Sequence, residues 1–136
     1  MGTAETFESA WVALAPAARR CLELAHRSWC DGGLPVGAVL TDAGGAIVAE
    51  GRNRAYDPPG GADLLQGTPL AHAELNALAA ARTGWDLAVH TLWSSHEPCG
   101  MCAAAASGSA WGLDGLWAVV PVNPTGECLW RPRVHR

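Results

Sequence analysis

Lysine is absent from this chain of 136 residues: all nine basic side chains are arginine, set against thirteen acidic ones for a formal net charge of −4. A chain of that balance lacks the phosphate-neutralising surface that drives general nucleic-acid binding, so nucleic acid is not an expected partner. No run reaches the roughly 18 to 20 consecutive apolar residues of a membrane helix, so no membrane partner is expected. Residues 1–9 carry Glu5 and Glu8 but no basic side chain, unlike the charged start of a signal peptide. Five cysteines is an odd number, and they are not spaced as a disulfide framework. These absences together point to the reducing cytoplasm. Internal repeats, low-complexity runs and linkers are missing too, so residues 1–136 are expected to form one domain.

What is present suits a packed core, with 49% hydrophobic and 16% charged residues. Leu14, Ala18, Cys21, Leu22, Ala25 and Trp29 follow helical periodicity. The spacing predicts an amphipathic helix that tolerates Pro16 near its start and stops at Asp31-Gly32-Gly33. Strands are expected over 36–40 and 46–50, joined by a turn at Asp42-Ala43-Gly44-Gly45. Residues 53–69 form a long loop rich in proline and glycine, the kind that often serves as a functional lid or rim. Helices over 71–82 and 99–107 then alternate with strands over 90–95 and 116–120. The βαβ stretches imply parallel strands with right-handed crossovers. The expectation is an α/β fold of three layers, α/β/α, around a central mixed sheet.

Two short segments carry chemistry: His72-Ala73-Glu74 and Pro98-Cys99-Gly100-Met101-Cys102. A C-x-x-C alone fits a redox pair or half a structural metal site. Here each segment opens a predicted helix. Cys99 and Cys102 are three apart in a first turn, so both sulfurs reach one side, and a helix N-terminus favours thiolate. With one nitrogen from His72 they make three ligands for a tetrahedral zinc that keeps one position open. Zinc in such a site lowers the pKa of a water it holds. Glu74 is badly placed to share the metal but well placed to move protons. A purely structural metal site would leave Glu74 without a task.

The pattern is the H-x-E…P-C-x-x-C of zinc deaminases. The chain resembles the cytidine/deoxycytidylate deaminase superfamily, in the branch that holds guanine deaminases, fungal-type cytosine deaminases and tRNA adenosine deaminases. The likeness extends to Pro35-Val36-Gly37-Ala38-Val39, to Gly51-Arg52-Asn53-Arg54 and to the segment from Leu92 to Cys99. It implies the cytidine deaminase-like fold with a shortened C-terminal part. It implies one zinc per chain on His72, Cys99 and Cys102, with Glu74 as the proton shuttle. Asn53 and the backbone N–H of Ala73 carry over as contacts to the substrate base. His96 is expected to shape the pocket and Cys21 to sit in the core; Trp29, Trp85, Trp93, Trp111 and Trp117 are expected in the core or an interface, with Trp93 or Trp130 the candidate to stack on a base.

The expected reaction is hydrolytic deamination of a free nucleobase or nucleoside, guanine-type ahead of cytosine-type. The alternatives are a tRNA adenosine-to-inosine deaminase and a non-catalytic, zinc-stabilised interaction domain, which would have no need of Glu74. Trp111, Leu113, Leu116, Trp117, Leu129 and Trp130 concentrate apolar surface late in the chain. A homodimer through the helices bearing His72 and Cys99 is therefore expected, with residues 129–136 near an active site. Light scattering at micromolar concentration should show a dimer; a particle of 14.1 kDa would contradict it.

Overall fold

The structure is a computed structural model and describes residues 6–61, 63–107 and 116–118. Its first element, α1 (Phe7–Ala13), lies outside the expected set. Thr6 and Ser9 open it with a reciprocal capping box. None of its residues is buried, so it has no core-facing stripe for periodicity to reveal. The amphipathic helix expected next is α2 (Pro16–Cys30), which buries Ala17, Ala18, Cys21, Ala25 and Ser28.

The hairpin is β1 (Gly37–Thr41) and β2 (Ile47–Arg52). Its turn closes where Asp42 Oδ1 accepts the N–H groups of Gly44 and Ala46, at 3.0 and 2.9 Å. β3 (Thr91–Ser94) and β4 (Leu116–Ala118) complete a mixed sheet of order β2-β1-β3-β4. β1 is antiparallel to both β2 and β3, and β3 is parallel to β4. The expected parallel crossover thus joins neighbours at β3–α4–β4, where α4 is Gly100–Ser107. The other crossover, through α3 (Ala73–Ala79), passes over β1, so β2 and β3 run the same way without touching.

Strand alternation sorts the helices onto two faces. Val39 packs with Ala17 and Cys21 of α2, and its partner Trp93 joins that cluster. On the other face Ala38, Leu40 and Leu92 pack with Ala73 and Ala77 of α3 and Ala106 of α4. Burying Leu40 and Leu92 completely contributes about 1.5–3 kcal/mol each. Gly51, Ala38, Ser94 and Ala118 lie in register across all four strands. Of this row, Gly51, Ala38 and Ser94 occupy the face that carries α3. A β-carbon on Gly51 would stand 2.2 Å from the Ala73 carbonyl oxygen and 2.4 Å from the Ala77 nitrogen. On the opposite face a β-carbon on Gly37 would stand 2.1 Å from the Cys21 carbonyl of α2. Both helices rest on the sheet at glycines.

One expectation needs correction. The second long helix was expected over 71–82, but α3 ends at Ala79. The N–H groups of Ala80 and Ala81 turn to Ala77 and Leu78, the tighter bonding that often closes a helix. A short 3-10 helix (Leu87–Val89), capped by the Asp86 side chain, then leads into β3. Within the loop 53–69, expected to be a lid or rim, the chain wraps around Arg54, whose guanidinium bonds Asp57, Asp63 and Gln66 while its carbonyl accepts the Gly67 N–H. Arg52 also bonds Asp57, at 2.9 Å. Burial opposes the charge on Asp57, yet Arg52 and Arg54 overcome it and hold the carboxyl below its ordinary value. The shortened C-terminal part expected from the family lies outside the described residues.

Gly51→Ala should force α3 off the sheet and cost about 1–3 kcal/mol, the usual range for overpacking. Gly84→Ala is the control, because nothing stands within 4 Å of its added carbon. Denaturant unfolding checks this; equal stability of the two variants would contradict the close approach.

Candidate metal centre

His72 is the N-cap of α3, with extended backbone angles (φ −73°, ψ 150°) and no side-chain capping bond. Its imidazole serves another purpose. Nδ1 lies 3.6 Å from Cys99 Sγ and 3.5 Å from Cys102 Sγ. Cys99 immediately precedes α4, and its carbonyl accepts the Ala103 N–H at 2.8 Å. Cys102, one turn on, is fully buried. The three donor atoms lie within 4.8 Å of one another, and no fourth ligand joins them among the described residues.

This donor set fits zinc. Zn–S and Zn–N bonds of about 2.3 and 2.05 Å, meeting at a tetrahedral angle, hold nitrogen and sulfur about 3.6 Å apart. That is the spacing found. A neutral Nδ1 has one lone pair to offer, so it cannot satisfy two thiols, whereas one cation can meet all three atoms. The thiol environment departs from the expectation of favoured thiolate. Burial pushes the Cys102 thiol well above its ordinary value, and the nearby Glu74 carboxylate adds to the rise. Without metal, desolvation outweighs the helix N-terminus there.

Glu74, in the first turn of α3, is 3% exposed and accepts a hydrogen bond from Ser94 Oγ at 2.7 Å. It pairs with no cation among the described residues. Asn53 is also buried. Its carbonyl accepts the Ser28 hydroxyl at 2.7 Å and its N–H donates to Val36. Its Oδ1 accepts the Ala55 N–H at 3.2 Å, which fixes the amide orientation and leaves Nδ2 as the spare donor. The next residue, Arg54, donates its N–H to Ala71 at 2.9 Å. Asn53 and His72 therefore flank one backbone bond. Ala73 is buried, and its first-turn N–H has no acceptor among the described residues.

The family model for the cytidine and deoxycytidylate deaminase zinc-binding region matches residues 14–112. The chain belongs to this family. A tRNA-specific adenosine deaminase from Haemophilus influenzae is 40% identical over 90 residues, which are 64% of this chain and 47% of that protein. The structure of guanine deaminase from Bacillus subtilis is 31% identical with a TM-score of 0.59, covering 75% of this chain and 60% of that one. A structure of the protein NE0047 in complex with 2,6-diaminopurine is 28% identical with a TM-score of 0.60, covering 79% and 58%. The chain thus spans about half to three fifths of these relatives' own length. His72, Cys99 and Cys102 form the zinc-binding group typical of the family.

Other expected site residues fare differently. Trp93 faces α2, with its Nε1–H on Thr41 Oγ1 at 3.0 Å. It stands on the sheet face opposite Glu74 and cannot stack on a base there. His96 is exposed, and among the described residues its ring bonds the neighbouring Glu97 carbonyl. Trp130 lies outside the described residues. Cys21 is in the core as expected, its thiol pushed by burial up to about 12. Ser94 was missed. Its signal was available: it is a hydroxyl two positions from Leu92, hence on the same strand face, with its neighbour Ser95 turned the other way.

Purified protein should carry one zinc per chain. Because Cys102 holds its proton in the metal-free state, zinc uptake at neutral pH must expel it, so affinity should rise with pH. Competition titration between pH 6 and 8 with proton-release calorimetry checks this; a pH-independent affinity would contradict it.

Proposed function

We propose that the chain hydrolytically deaminates a free nucleobase or nucleoside, with guanine the first candidate and cytosine-type bases behind it. The observation that carries this reading is Glu74: a buried carboxylate with no cation partner among the described residues, two residues from His72 of the zinc-binding group. A non-catalytic zinc-stabilised domain gains nothing from such a group, because an unneutralised buried carboxylate is costly. Similarity to a guanine deaminase and to a structure bound to 2,6-diaminopurine supports a purine.

Zinc held by His72, Cys99 and Cys102 would supply Lewis-acid activation of water at neutral pH. The residues do the rest. The Asn53 amide donor and the Ala73 N–H hold the ring edge. Glu74 takes a proton from the attacking water and passes it to the adjacent ring nitrogen. It then delivers a proton to the departing amine. Water's oxygen replaces the exocyclic amino group, which leaves as ammonia. Burial of Glu74, Asn53 and Ala73 keeps bulk water from competing for these contacts.

A second reading, adenosine deamination in tRNA, is favoured by the 40% identity to the Haemophilus influenzae protein. Its chemistry is the same, but a tRNA needs phosphate contacts. Arg20, Arg27, Arg52 and Arg54 are each paired with a carboxylate, which leaves Arg19 and Arg82 without an ion pair among the described residues; with a net charge of −4 this weighs for the small substrate. For assembly we keep the homodimer through α3 and α4. An apolar groove of about 340 Å³ lined by Leu65, Leu75, Leu78, Leu87 and Ala105 supports it.

Ammonia release should be seen from guanine or another free base or nucleoside, and Glu74→Gln should retain zinc while losing roughly two to four orders of magnitude in turnover. The assay panel includes cytosine, guanosine, cytidine and a tRNA anticodon stem–loop. Inosine formed only in the RNA would favour the second reading. A Glu74→Gln protein as active as wild type would overturn the mechanism.

A further inference from the structure

We propose that Ser94 is a positioning residue for Glu74, fixing one carboxylate oxygen so that the other is presented to the reacting water and base. The inference rests on the deaminase reading of the site and adds a residue to it. Ser94 is completely buried. It stands in the row of small residues under α3, in register with Ala38, which is in turn in register with Gly51. That register, with the close approach at Gly51, brings the first turn of α3 down onto Ser94.

The hydrogen bonding gives the hydroxyl a direction. The His96 N–H points to Ser94 Oγ at 3.4 Å, and Ser94 Oγ donates to Glu74 Oε1 at 2.7 Å. A serine hydroxyl has one proton to give. Here that proton goes to Oε1, while the backbone N–H engages a lone pair on the same oxygen. No other side-chain hydroxyl or amide bonds Glu74 among the described residues. Without this tether the carboxylate, on a stem with three rotatable bonds, keeps only the Cys102 thiol as a side-chain partner among the described residues, and that sulfur is committed to the metal when zinc is bound. A proton shuttle must serve water, ring nitrogen and amine in turn from one place, so orientation enters the rate directly.

The test uses zinc-loaded protein with ¹³C-carboxyl-labelled glutamate, the Glu74 signal being assigned from Glu74→Gln. Ser94→Ala should shift or split the Glu74 signal while leaving zinc at one per chain. With guanine, or whichever panel compound proves best, kcat should fall roughly tenfold, the size of one hydrogen bond to a charged group. KM should stay within about twofold, as expected for an interaction that orients rather than binds. In a Glu74→Gln background the same substitution should cost nothing more. Ser94→Cys, which keeps the shape with a weaker donor, should fall in between. An unmoved Glu74 signal in Ser94→Ala would overturn the proposal. So would a rise in KM at constant kcat, or full additivity with Glu74→Gln. A wild-type protein that deaminates nothing on the panel defeats the functional reading instead, and the Glu74 signal still decides the role of Ser94.

Discussion

Everything at the site depends on how low α3 sits on the sheet. With a β-carbon at position 51 only 2.2 Å from the Ala73 carbonyl, only glycine permits that depth. The depth is useful because the helix is short and its first turn carries His72, Ala73 and Glu74 in succession. Lowered onto β2, the turn meets Ser94 across the sheet, and His72 reaches the sulfurs presented at the start of α4. The opposite face repeats the device at Gly37, where α2 settles until Ser28 can donate to the Asn53 carbonyl. Thus one glycine seats the residues proposed to move protons, and the other helps seat the residue proposed to hold the base.

The two buried carboxylates near the site show how environment separates roles. Asp57 is 8% exposed and Glu74 3%. Asp57 receives two guanidinium groups, from Arg52 and Arg54, and fastens the 53–69 loop. Its charge is neutralised where it stands, which suits it to structure. Glu74 receives a neutral hydroxyl instead. Among the described residues no cation claims its lone pairs, and a metal on the neighbouring three ligands would stand close to it. Such a carboxylate is held in place without being quenched, the condition for a group that accepts a proton and returns it.

The metal ligands were legible in the sequence because donor chemistry and spacing survive in one dimension. A C-x-x-C at a helix start and an H-x-E at another need no register to be recognised. The amphipathic α2 and the hairpin turn were legible for the same reason: their signals are periodic or local. Ser94 was legible only in part: alternation from Leu92 gives its strand face, but the pairing with Ala38 and the seat at Gly51 that make it matter are long-range. Trp93, read as a core or interface residue with stacking on a base as the lesser alternative, packs against α2, because strand alternation turns its ring to that face. The 53–69 segment was legible as a loop from its prolines and glycines, but what fastens it was not. The ion pairs that fasten it around Arg54 join residues three to nine apart with no recognisable repeat. α1 had no buried side to advertise.

The central claim is a three-ligand zinc centre of one imidazole and two thiolates, left open on its fourth side with Glu74 alongside. X-ray absorption at the zinc edge on purified protein tests it most directly. The account predicts two sulfur neighbours and a remainder of nitrogen or oxygen. It also predicts that Cys102→Ser reduces the sulfur count by one while Glu74→Gln leaves the protein ligands unchanged. Three or more sulfurs, or a ligand set that changes when Glu74 is replaced, would contradict it.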